Sequence, residues 1–209
     1  MNIPNWEKAI KTVKNTLSEN PDLIAKANAL GQKYQNQRGL MIVDCVASRQ
    51  RRYDSYVVPK LIPLYVSKAE DLSIQSLAKK APSWMPLRDG EARTMKQVAQ
   101  VLLKYGENSS VTDENKLCTK WASDELAHNE ILEIKGIGPA LLQYLRMLSG
   151  ANTLKVDVRI IEELRKLALP VEWFTSDGLL KLCADLAREA GCTMVELDQV
   201  LWHTNSTRT

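Results

Sequence analysis

From Trp6 to Trp202 the apolar residues of this 209-residue chain return every three or four positions, and no sustained run alternates with a period of two. That periodicity builds helices and leaves no material for a sheet, so the expected fold class is all-α. Trp6, Ile10, Val13 and Leu17 share one face of a helix over about 4–18. Further helices are expected at about 23–34, 71–80, 89–105, 112–119, 122–132, 139–149, 158–168, 176–190 and 193–202. The apolar stretch 40–47 reads as a buried helix, closed by the basic segment Arg49-Gln50-Arg51-Arg52. A helix over about 54–65 is crossed by Pro59 and Pro63, which blurs its limits.

Hydrophobic residues make up 44% and charged residues 25%, the proportions of a soluble globular chain. The net charge of +3 permits a polyanionic partner without demanding one. No window approaches about 18 consecutive apolar residues and the N-terminus is amphipathic, so a soluble, intracellular protein with no membrane partner is expected. Cys45, Cys118, Cys183 and Cys192 are spaced like neither a zinc site nor an iron–sulfur run, and buried thiols are expected. With only His128 and His203, a catalytic transition-metal site is not expected.

The most informative segment is Ile134-Lys135-Gly136-Ile137-Gly138, set between two apolar helices. Two glycines around one apolar residue let the backbone turn tightly, and Pro139 suits the first position of the next helix. Backbone N–H groups at that helix start can approach a phosphate oxygen, which a side chain at either glycine would obstruct. An ordinary tight turn between helices would read the same way, so the surroundings decide.

Asp157 lies 19 residues after Gly138, in Val156-Asp157-Val158. It ends an extended segment before a helical pattern and therefore reads as an N-cap, which would also fix its carboxylate in place. Upstream, Ala47-Ser48-Arg49-Gln50 closes the buried helix and Arg88-Asp89-Gly90-Glu91-Ala92-Arg93 opens another. In this order and spacing the segments resemble the helix-hairpin-helix DNA glycosylases, the superfamily of endonuclease III and 3-methyladenine glycosylase II. The resemblance covers about 40–165.

That resemblance implies two helical lobes, 1–38 with 152–209 and 39–151, the second a barrel containing the hairpin at about 131–149. It implies a duplex DNA partner carrying a damaged base, bound in a groove between the lobes by a monomeric enzyme of the nucleoid or nucleus. Lys135, Gly136, Ile137, Gly138 and Ala140 would hold a phosphate, with K+ or Na+ on the backbone carbonyls of Ile134 and Gly136. No other cofactor and no iron–sulfur cluster are expected. Gln50 matches the family's gap-filling glutamine, flanked by Arg49, Arg51 and Arg52 as phosphate contacts. Without the resemblance the same cluster would be a solvated helix end. Asp157 would stabilise the positive charge that develops on the sugar when the N-glycosidic bond breaks.

Bifunctional members carry a nucleophilic lysine where this chain has Ala140, so hydrolysis without strand cleavage is expected. Lys135 and Lys155 read as phosphate contacts, with a nucleophilic role as the alternative. Tyr144, on the same helix face as Ala140, matches an aromatic that lines the base pocket of the alkylpurine branch, or serves as a packing tyrosine. Trp84, in a Pro-bracketed loop, is a second candidate for that pocket. Leu142 departs from the family, which has a small alanine there. The expected activity is removal of a damaged base, with alkylated purines favoured; the alternative is a non-catalytic DNA-binding relative.

Overall fold

The computed structural model describes residues 3–206, and every regular element among them is helical. The chain divides into two units, one formed by the segment up to Leu30 with the chain from Asn152 onward, the other by Gly31–Ala151.

The first unit contains α1 (Trp6–Glu19), α2 (Asp22–Leu30), α10 (Val158–Lys166), α11 (Ser176–Ala190) and α12 (Met194–Ser206). Ala9, Ile10 and Val13 of α1 are buried with Leu164, Leu186, Leu197 and Leu201 in one apolar core. Local chemistry sets the helix starts. Thr175 caps α11 by accepting from the Gly178 N–H at 3.3 Å. Before α12, the Glu196 N–H donates to Thr193 Oγ1 (3.1 Å) while Glu196 Oε2 accepts from the Thr193 N–H (2.6 Å), a reciprocal box that satisfies two otherwise orphaned donors.

The Gly31–Ala151 unit is organised around α3 (Arg38–Ala47), all ten residues of which are buried. Against it pack α4 (Ile62–Lys68), α5 (Ile74–Lys79), α6 (Glu91–Asn108), α7 (Glu114–Ser123) and α9 (Pro139–Leu148). The short α8 (His128–Leu132) precedes the hairpin. Four of the expected helices differ from the sequence reading. The helix expected to reach Tyr34 stops at Leu30, and Tyr34 is buried in the next unit. Residues 53–61 form a π-helix, where wider turns accommodate Pro59, which cannot donate a ladder hydrogen bond. The helices expected at 112–119 and 122–132 are instead α7, a 3-10 turn at 125–127 and α8. Asp113 starts α7 late by accepting from the Lys116 N–H at 2.8 Å, and the extended backbone of Asp124 ends it.

Candidate nucleic-acid interface

The hairpin turn is closed by the Ile137 N–H donating to the Ile134 carbonyl at 3.0 Å, with both side chains buried. Gly136 has a φ of 98°, a conformation that favours glycine. A Cβ there would also lie 2.3 Å from Arg49 Nη1 and 3.3 Å from Thr94 Oγ1. Gly138 differs: its backbone is extended and a Cβ would meet nothing within 4 Å. No packing among the described residues requires that glycine. It leaves open space where α9 begins, and α9 has no side-chain cap to occupy its first N–H groups. Pro139 takes the first helical position, Lys135 is exposed, and Leu142 is buried in α9.

The basic turn after α3 sits beside this hairpin. Arg49 Nη1 donates to the Gly136 carbonyl at 3.2 Å, and Thr94 Oγ1 donates to the Lys135 carbonyl at 2.9 Å. Glu91, at the start of α6 and fully buried, holds the turn together. It takes a bidentate pair from Arg51 (3.0 and 2.6 Å), a longer contact from Arg49 (3.5 Å) and the Arg88 backbone N–H (3.0 Å). The sequence places Arg51 among the phosphate contacts. Its side chain is only 7% exposed and committed to Glu91, so it is an internal brace rather than a free surface cation. Arg52 is exposed, as is Gln50, whose φ of 51° places it in the left-handed region. Arg88 fixes Gln50 there, donating to its backbone carbonyl at 2.7 Å and to its side-chain Oε1 at 3.2 Å.

K+ or Na+ is expected on the carbonyls of Ile134 and Gly136, and each of these already accepts one hydrogen bond. The Ile134 carbonyl accepts from Ile137 and the Gly136 carbonyl from a guanidinium. An alkali ion on Gly136 would stand close to a like charge in a part-buried place, where water screens poorly.

Tyr144, expected in a base pocket, is buried on α9 within a polar cluster. Its hydroxyl lies 3.1 Å from Tyr53 Oη and 3.4 Å from Asp44 Oδ2, with one proton to donate between them. The same Asp44 oxygen accepts from Tyr34, from Tyr53 at 2.8 Å and from Lys33 Nζ at 3.2 Å. Burial, with the Asp44 charge, pushes the phenols of Tyr34, Tyr53 and Tyr144 above the usual tyrosine range. Trp84 is elsewhere: its ring stacks on Tyr65 (centroids 5.9 Å apart, 13° between planes) beneath Lys68 Nζ.

In the other unit Asp157 caps α10, its Oδ1 accepting from the N–H groups of Arg159 (3.0 Å) and Ile160 (3.2 Å). Its Oδ2 lies 3.6 Å from Lys155 Nζ, and the side chain keeps 23% exposure. Beneath them Asp198 is buried and accepts from the Lys155 N–H at 3.3 Å. Burial pushes its carboxyl up to about 7; the Asp157 charge adds to this, while the Lys155 backbone hydrogen bond and charge oppose it.

Sequence reasoning missed Glu91, Thr94 and Asp44. Only Asp44 carried a usable signal, as the one charge inside an apolar stretch that had to find partners. Among the described residues no group of three or more His, Cys, Asp or Glu side chains could hold a metal ion, and no helix is long and apolar enough to cross a membrane.

No family model matches the sequence, and no curated protein matches it. A crystal structure of 8-oxoguanine DNA glycosylase from Methanocaldococcus jannaschii is similar, with a TM-score of 0.62 over 96% of this chain and 94% of that one, at 15% identity. The chain therefore shares the all-α fold of that glycosylase.

Proposed function

We propose that this protein is a monofunctional DNA glycosylase that hydrolyses the N-glycosidic bond of a damaged purine flipped out of duplex DNA. The observation that carries the reading is Asp157: a partly exposed carboxylate fixed by its own helix, on a chain that follows a glycosylase fold along nearly its whole length.

As the base departs, positive charge grows on the sugar, and a fixed carboxylate stabilises it without having to reorganise. The same group orients the water that completes hydrolysis. Ala140 offers no nucleophile at the start of α9. Lys155 is 12% exposed and paired with Asp157, so its amine serves as a charge partner rather than as an attacking group. The flipped state needs a filler for the vacated stack. Gln50 is presented from a left-handed turn with its carbonyl end held by Arg88, which leaves its amide N–H groups for the widowed base. Lys135, Arg52 and the N–H groups at the start of α9 would take phosphates. The similar archaeal enzyme acts on 8-oxoguanine, and the Ala140–Tyr144 pair pointed to alkylated purines, so both lesion classes are the first substrates to assay.

The test incubates the protein with duplexes carrying 8-oxoguanine, methylated purines, hypoxanthine or uracil, then cleaves abasic sites with alkali. Asp157→Asn keeps a capping side chain but removes the charge, and is expected to slow release about 100-fold or more. Release at the wild-type rate by that variant would sink the mechanism. Strand cleavage without alkali, trapped by borohydride, would overturn the monofunctional part. Lesion binding with no release on any substrate would favour a non-catalytic DNA-binding protein.

A further inference from the structure

Two arginines and one carboxylate meet against the hairpin, and their charges sum to +1: Arg49 and Arg51 share the buried Glu91. Arg51 and the Arg88 N–H fix the carboxylate, and Arg49 spans from it to the Gly136 carbonyl. Gly136 makes room for this, since any side chain there would fall 2.3 Å from Arg49 Nη1. The glycine thus serves the guanidinium as well as the turn. With 28% of its side chain exposed, Arg49 can still reach a ligand at the hairpin. The guanidinium has five N–H donors and only two of these contacts, so donors remain for an oxyanion.

We propose that Arg49 is the hairpin's built-in cation: its guanidinium, rather than a bound K+ or Na+, supplies the positive charge that a phosphate meets at this turn. The phosphate part rests on the DNA-binding reading above; the exclusion of an alkali ion does not. A site of this kind responds to ionic strength, because phosphate binding releases counterions. It does not respond to which monovalent cation is present.

The experiment compares potassium, sodium and tetramethylammonium chloride at one ionic strength, the last cation being too large to sit on backbone carbonyls. Without DNA, the melting temperature of the wild type is expected to agree among the salts within about 1 °C. An ion bound at ten times its dissociation constant would instead raise it by about 3–6 °C in a chain of this size. A duplex with a stable abasic analogue, followed by fluorescence anisotropy, is expected to bind with dissociation constants within about twofold across the salts.

Arg49→Ala is expected to weaken that binding about tenfold and to make it tighter in potassium than in tetramethylammonium. Arg49→Lys, which keeps the charge but loses the planar fork, should fall between the two and guards against a variant that fails to fold. A potassium-specific rise in the wild-type melting temperature, or tenfold tighter wild-type binding in potassium, overturns the proposal. So does Arg49→Ala binding in tetramethylammonium as tightly as the wild type. Absence of duplex binding in every salt sinks the DNA reading and, with it, the phosphate role of Arg49; the melting comparison then judges the alkali-ion exclusion alone.

Discussion

Glu91→Gln removes one negative charge from a fully buried position while keeping the side-chain shape. In the wild type the carboxylate accepts two bonds from Arg51, one from Arg49 and one from the Arg88 N–H. Glutamine keeps one acceptor oxygen and turns an NH2 toward a guanidinium that is itself 7% exposed, so one half of the bidentate pair becomes donor against donor. Breaking a buried pair on one side costs about 3–5 kcal/mol, because the surviving charge stays buried without its partner. The retained oxygen places this variant near the low end, at about 3 kcal/mol. For a chain of this size that corresponds to a fall in melting temperature of about 6–12 °C. Urea unfolding reads the loss as a shift in midpoint. The double variant Glu91→Met with Arg51→Met should recover most of it, since apolar side chains replace both charges together. A loss under about 1 kcal/mol for Glu91→Gln, or a double variant as unstable as the sum of its singles, would refute the view that Glu91 holds this turn together.

Asp198→Asn tests the buried carboxyl in the other unit. Its pKa rises on folding from 3.8 to about 7, so the folded state holds the proton more tightly. Its contribution to stability is full below about pH 4 and is lost as the pH rises through 7, about 4 kcal/mol in all. Urea midpoints should fall between pH 5 and 8 in the wild type and stay level in the variant; equal pH dependence would contradict the assignment. Asp44→Asn should cost about 2–4 kcal/mol, since one Asp44 oxygen serves Tyr34, Tyr53, Tyr144 and Lys33; a near-neutral effect in urea unfolding would show that the tyrosines hold themselves. Gln50→Gly relieves a left-handed residue and should raise stability by about 0.5 kcal/mol, yet lower base release at least tenfold. Loss of stability in parallel with activity would make Gln50 a structural residue.

Helix periodicity and turn chemistry made most of the fold legible, because each helix buries one face and ends on a residue with a local reason to end it. Asp157 as a cap and Gly136–Gly138 as a hairpin could be read because both depend on neighbours within a few positions. The elements that moved are those where a competing local interaction intervened: the Asp113 cap, the break at Asp124, and the π-turns around Pro59. Long-range pairing was not legible. Arg49, Arg51 and Arg52 look alike in sequence, but Glu91, 40 residues beyond Arg51, buries one of them and binds a second. Tyr144 reads as a pocket or packing aromatic because its polar partners, Asp44 and Tyr53, lie 100 and 91 positions away.

The division of the chain also orders events in time. The Gly31–Ala151 unit is one uninterrupted stretch, whereas α1 and α2 belong with helices that begin beyond Asn152. During synthesis the first two helices therefore wait for about 120 residues to emerge, roughly 6–24 s at ribosomal rates. Their apolar faces, with Ile10, Val13 and Leu23, stay uncovered while the central unit can already close around α3. A chain released at Ala151 should thus hold a protease-resistant core and an N-terminal arm that is still cut.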